Sequence, residues 1–181
     1  MSSSPPLLVV IRGNAGSGKS TVATALQQQL GPGTAYVGQD HFRRVVLQER
    51  DLPDGDNIGL IASTVQYCLD IGYNVILEGI LFSGHYAPMI RELLSSHEGP
   101  RHVFYLDVPL SETISRHTGR PLITDVPPEQ LERWYVDRDV LGLEGETVIP
   151  AGDLTTRDVL TCMTNAIGTV PSPTRPAARH L

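Results

Sequence analysis

The sequence predicts an α/β protein, a three-layer α/β/α sandwich built on a five-stranded parallel sheet. Three observations carry that prediction. Short, continuously apolar, β-branched runs recur along the chain, as strands buried on both faces require. Longer stretches with apolar residues at helical spacing separate them, and such alternation implies right-handed crossovers with helices on both faces. Glycine and proline mark the junctions.

The first apolar run is residues 7–11, Leu-Leu-Val-Val-Ile. A glycine-rich turn occupies 13–20, and Val22, Ala23, Leu26 and Leu30 then trace a helix that Gly31-Pro32-Gly33 stops. A second strand is expected at 35–38, a helix at 41–48 and a polar loop at 51–56. Ile58, Ile61, Ala62, Val65 and Leu69 define one face of the next helix, with Asn57 as its N-cap and Gly72 as its stop. The third strand, 75–77, ends in Glu78-Gly79. A helix at about 86–96, a strand at 102–106 and a helix at 111–117 follow. The stretch 119–128 is irregular by composition, 129–139 reads as helix and 147–149 as the last strand. A closing helix at 155–166 opens with Thr155 and Asp158 in capping-box spacing. Residues 7–167 make one domain, flanked by tails at 1–6 and 168–181 expected to be disordered; Pro171, Pro173 and Pro176 mark the second.

Composition narrows the function classes. The 181 residues are 40% hydrophobic with a net charge of −6, which fits a globular core and lacks the basic footprint of a nucleic-acid binder. No apolar run approaches the roughly 20 residues of a membrane helix, and no leader pattern precedes the first strand. Two cysteines, Cys68 and Cys162, build no disulfide framework and are read as small core residues, so a reducing cytoplasm is the expected compartment. The six histidines show no metal-ligand spacing.

The turn Gly13-Asn14-Ala15-Gly16-Ser17-Gly18-Lys19-Ser20 matches the phosphate-binding pattern G-x-x-x-x-G-K-[ST], with a buried strand before it and a helix from Thr21 after it. Glycines let backbone N–H groups converge on phosphate oxygens, and the helix adds its unpaired N–H groups and dipole. Lys19 reaches the β- and γ-phosphates and the Ser20 hydroxyl serves Mg²⁺. About 0.006 chance matches are expected in a chain of this length. Thirteen of the 14 basic residues are arginine, and Lys19 is the one lysine: a compact ammonium where a planar fork would not serve. A guanine-reading N-K-x-D needs a second lysine, so the nucleotide expected is ATP.

Two features point to phosphoryl transfer onto a small hydroxyl acceptor. Asp40 falls just past the second strand, at the carboxyl-end face where ligands of such sheets bind. It can orient a hydroxyl proton while Arg43 or Arg44 pairs with an anionic group; the alternative is a helix N-cap. Arg116 and Arg120 lie four residues apart at the entry to a stretch, about 117–128, that could close as a lid and neutralise charge on the transferring phosphoryl group. The alternative is a solvated helix end facing its own dipole.

On these residues the chain resembles P-loop kinases of the nucleoside-monophosphate-kinase-like group. The strand-Asp-x-x-Arg pattern is similar to adenylylsulfate kinases, zeta-type toxin kinases, chloramphenicol phosphotransferases and polynucleotide kinases. Residues 75–80 are similar to the second motif strand of uridine kinases. The resemblance implies Asp40 as acceptor-activating base, Glu78 as the Walker B carboxylate beside Mg²⁺ and substrate, and Arg116 and Arg120 as lid arginines. It also implies an adenine border around 150–153. Glu78 departs from the commoner Walker B aspartate, which implies a water-mediated metal contact. The expected activity is transfer of the γ-phosphate of ATP to a hydroxyl of a small molecule such as an antibiotic or secondary metabolite. The alternatives are a nucleoside or nucleotide kinase, or an ATP-binding protein that sequesters its ligand without turnover. A monomer or homodimer is expected, with no nucleic-acid partner and no membrane association. Asp107, His41 and His117 are set aside as structural or surface residues, Trp134 and Tyr135 as packing.

Overall fold

The computed structural model describes residues 5–118 and 128–170. Five strands form one sheet: β1 (Leu8–Gly13), β2 (Thr34–Gly38), β3 (Asn74–Glu78), β4 (Arg101–Asp107) and β5 (Glu146–Pro150). All pairings are parallel and the spatial order is β2-β3-β1-β4-β5. The helices are α1 (Lys19–Leu30), α2 (Asp56–Asp70), α3 (Ser83–Ser96), α4 (Leu110–Thr118), α5 (Pro128–Trp134) and α6 (Thr156–Ile167), with a short π-helix at His41–Val46.

The pleat of β1 sorts its side chains between two cores. Leu8 and Val10 enter a cluster with Val37, Ile61, Val65, Tyr86 and Ile90, which covers one face of the sheet with α2 and α3. Leu7, Val9 and Ile11 enter a second cluster with Val22, Leu26, Val159 and Met163, which packs α1 and α6 on the other face. A strand buried on both sides has no polar face, which is why the run 7–11 shows no alternation in sequence. The three-layer parallel sandwich is as the sequence predicts. No helix among the described residues is long and apolar enough to cross a membrane.

Local differences have local causes. The stretch expected as helix at 41–48 is a π-helix, and Asp40 makes no side-chain cap there. Asn57 is not the N-cap of α2 but lies buried in its first turn. Glu49 Oε1 accepts the Asn57 backbone N–H at 2.7 Å and its amide at 2.6 Å, closing the helix start from a preceding loop. Helix α3 begins three residues earlier than periodicity suggests, because Asp139 accepts the N–H of Ser83 at 2.9 Å. The helix expected at 129–139 stops at Trp134; beyond it the chain turns inward to deliver Asp139 to the core. Trp134 is exposed rather than packed, and so is Cys162, whereas Met163 is buried. The Thr155–Asp158 capping box forms as expected.

Candidate functional site

Parallel strands bring their carboxyl ends to one edge of the sheet, and the order places Gly13, Glu78 and Gly38 side by side there. Gly13 pairs in register with Leu106, and Glu78 with both Ile11 and Gly38. Gly13 ends β1 and residues 14–21 follow it, Asp40, Arg43 and Arg44 follow β2, Glu78 ends β3, and Arg116 lies apart on α4.

The turn after β1 is held in a shape only glycine permits at two points. A Cβ on Gly13 (φ +149°) would come 2.6 Å from the carbonyl oxygen of Leu106. Gly18 (φ +90°) occupies the left-handed region as the N-cap of α1. Lys19 is only 7% exposed; its ammonium donates to the Asn14 carbonyl at 2.8 Å and lies 3.4 Å from Ser17 Oγ, lying back over its own loop. Gly16 abuts Thr113 of α4, so that helix flanks the loop. The Asn14 side chain is committed elsewhere. It brackets the Val136 backbone, donating to its carbonyl at 2.8 Å and accepting its N–H at 3.1 Å. The Asn14 side chain thus bolts the loop to the segment after α5.

Beneath the loop lies a residue the sequence reading did not single out. Arg12, at the end of β1, is 0% exposed. Its guanidinium donates to Asp139 Oδ2 (2.9 Å), to the Asp139 carbonyl (2.9 Å), to the Leu81 carbonyl (2.9 and 3.1 Å) and to Glu146 Oε1 (3.3 Å). Glu146 also accepts the N–H groups of Leu141 and Gly142. Burial pulls the Arg12 pKa below its usual value while Asp139 and Glu146 oppose that pull; an arginine stays charged regardless. Tyr105 lies with its ring 5.8 Å from this guanidinium, and its hydroxyl accepts from the Asn14 amide and the Asp139 N–H. Its phenol is pushed up to about 12, mainly by burial. The one sequence signal was a charge ending an apolar run; its partners lie 127 and 134 residues further along the chain.

Glu78, 5% exposed, lies within hydrogen-bond reach of Ser20. Ser20 Oγ donates to Glu78 Oε1 at 3.1 Å, and the Tyr36 hydroxyl donates to Glu78 Oε2 at 2.7 Å. Burial, then the hydrogen bond to Glu78, raises the Tyr36 pKa above its usual value, so the phenol remains a donor. Tyr36 was also missed, because only the pairing of β2 with β3 brings it to Glu78. A hydroxyl and a carboxylate are hard oxygen donors suited to Mg²⁺. Among the described residues no group of three or more His, Cys, Asp or Glu could hold a metal. The donor set thus fits a cation that completes its shell with phosphate oxygens and water.

Across the edge, the Asp40 side chain is 65% exposed. It accepts from Arg43 at 3.0 Å and Arg44 at 3.3 Å, one turn on, so both arginines face the carboxylate itself. This is an ion-paired, accessible carboxylate at the ligand-binding end of β2. Gln39, next to it, donates to Asp51, which also accepts from the Tyr86 hydroxyl at 2.9 Å.

Arg116 is brought to the 150–153 loop. It donates to Glu112 at 2.8 Å and to the carbonyls of Ala151 (2.9 Å) and Gly152. In this arrangement it braces the loop expected to border adenine. Arg120 and the lid stretch 119–127 lie outside the described residues. Asp107 ends β4, its carbonyl accepting the Ala151 N–H at 2.8 Å and its carboxylate lying 3.8 Å from Arg138.

Residues 8–139 match a family model described as an AAA domain. Several solved structures share the fold. A gluconokinase from Sinorhizobium meliloti 1021 is similar with a TM-score of 0.64 and 15% identity over 91% of this chain and 93% of that one. The APS kinase of Mycobacterium tuberculosis in complex with AMPPNP and APS gives 0.65 and 17%, over 92% and 99%. The tunicamycin resistance protein of Deinococcus radiodurans gives 0.66 and 19%, over 93% and 99%. No curated protein matches the sequence.

Proposed function

The chain belongs to this AAA domain family, and on that premise we propose that it is an ATP-dependent phosphotransferase acting on a hydroxyl of a small molecule. One observation carries the reading. A glycine-shaped anion cradle with a buried lysine, a Ser20–Glu78 pair and an accessible carboxylate, Asp40, share one sheet edge. A cradle with Lys19 alone would serve any nucleotide binder. A carboxylate at the neighbouring strand end gives an attacking hydroxyl something to hydrogen-bond to.

The backbone of residues 13–20, with Thr21, would hold the phosphates of ATP, and Lys19 would leave its Asn14 carbonyl for the β- and γ-oxygens. Ser20 and Glu78 would hold Mg²⁺, which would supply positive charge to offset that of the phosphates. Asp40 would accept the acceptor's hydroxyl proton. Should an acceptor carry an anionic group, Arg43 and Arg44 are the cations beside it. Arg116 would hold the loop flanking the base, and Arg120 the lid.

An antibiotic or other secondary metabolite is the acceptor class we favour, supported by the fold shared with the tunicamycin resistance protein. Sugars, sugar acids and nucleotides are the competing classes, supported in the same way by the gluconokinase and the APS kinase. Incubation with ATP, Mg²⁺ and a pool of hydroxylated metabolites tests the reading. Mass spectrometry should find a product heavier by one phosphoryl group, with ADP release that depends on acceptor. Tight ligand binding without turnover would replace the kinase by a sequestering protein.

A further inference from the structure

Tyr36 is a half-exposed aromatic on the edge strand β2, where a purely structural residue would have little to do. Its ring does not point away from the sheet's ligand edge. It lies along the strand end over Gly38, where a Cβ would come 3.2 Å from both the ring and the hydroxyl oxygen. The absence of a side chain at position 38 therefore gives the phenol its path to Glu78, 2.7 Å away. Glu78 in turn has each oxygen taken by one donor, Tyr36 on Oε2 and Ser20 on Oε1. The direction of the second bond matters. A serine hydroxyl that gives its proton to a carboxylate keeps its lone pairs for a cation.

We propose that Tyr36 is a positioning residue for the metal site: its hydroxyl fixes the Glu78 carboxylate in the orientation that accepts from Ser20, so that serine and glutamate serve a nucleotide-bound divalent cation together. A glutamate has one more rotatable bond than the commoner aspartate at this strand end, and the phenol restrains that added freedom. The proposal rests on the nucleotide-binding reading above, and goes beyond it by giving the β2 edge a share in metal recruitment.

Tyr36→Phe tests it, since the ring and its packing over Gly38 stay while the donor is lost. The readouts are the affinity for a fluorescent ADP with and without Mg²⁺, and Mn²⁺ binding to the ADP complex by electron paramagnetic resonance. Loss of an outer partner of a metal ligand costs about 10-fold or more in metal affinity. The variant should lose about that factor in Mn²⁺ affinity and in the Mg²⁺-dependent gain in ADP affinity. Its metal-free ADP affinity and melting temperature should stay close to those of the parent. In a Glu78→Ala background the same substitution should have no further effect, because the phenol acts through that carboxylate. Undiminished Mn²⁺ affinity in Tyr36→Phe, or an equal loss in both backgrounds, overturns the proposal while leaving the kinase reading standing. A parent protein whose ADP affinity ignores Mg²⁺ overturns both.

Discussion

The carboxyl edge of the sheet has two halves that are built differently. At its centre, the turn after β1 is clamped from below and behind: Asn14 to Val136, Arg12 to Asp139 and Glu146, Tyr105 between them. Lys19 is buried. At the β2 edge, Asp40 and Arg44 are largely exposed at and on a π-helix whose Val45 and Val46, with Leu47 after them, also face solvent. The centre is over-determined and the edge is open. On the function proposed above, the contrast separates a generic half from a particular one: a triphosphate is the same for every enzyme that uses it, so its cradle can be rigid. Acceptors differ, and the residues that would meet them sit where substitution disturbs little else.

Five changes would break or sharpen that contrast. The largest effect belongs to Lys19→Met, which should lower acceptor-dependent ADP release by a factor on the order of 10² to 10⁵. Its melting curve should remain near that of the parent. Asp40→Asn should lower turnover by roughly 10²- to 10⁴-fold with ATP affinity nearly unchanged. A variant that kept full turnover on the true acceptor would remove Asp40 from the chemistry. Neither of these touches the clamp.

Arg12→Met does, and its effect should appear in stability. Removing one partner of a buried ion pair leaves the others uncompensated at a cost of about 3–5 kcal/mol. Denaturant melts should show that loss, whereas Arg44→Met at the exposed edge should shift stability by less than about 0.5 kcal/mol. Equal effects would mean that the two halves are not built differently at all.

The smallest effect concerns the loop that closes α2. Asn57, through its side chain first and its backbone second, holds the Glu49 carboxyl below its usual pKa. A depressed carboxylate stabilises the fold above its unfolded pKa and loses that contribution as pH falls through the folded value. Glu49→Gln should therefore be less stable than the parent at pH 7. The gap should close in melts taken below about pH 4, under the ordinary carboxylate value.

The same contrast explains what the sequence could show. The cradle is a contiguous motif whose meaning is local: eight residues, a strand before and a helix after. The strand cores were legible too, since burial on both faces leaves a continuous apolar run. The clamp and the Tyr36 contact on Glu78 were not, because they join residues by sheet order. Tyr36 meets Glu78 only because β2 lies beside β3, and Arg12 meets Asp139 only because the chain after α5 folds back under the turn. Helical periodicity carried the expected helix past Trp134 for the same reason: nothing in the local pattern announces a residue wanted 127 positions away. Glu49 went unread because Asn57 is a favoured cap residue and the true acceptor belongs to a loop before it.

The lone lysine has a practical side. In 181 residues one ε-amino group exists, and it is tucked against the carbonyl of Asn14. Amine-directed acylating reagents thus have a single side-chain target. How fast that target is acylated, with and without nucleotide, becomes a direct gauge of whether the cradle is filled, legible by peptide mass without any knowledge of the acceptor.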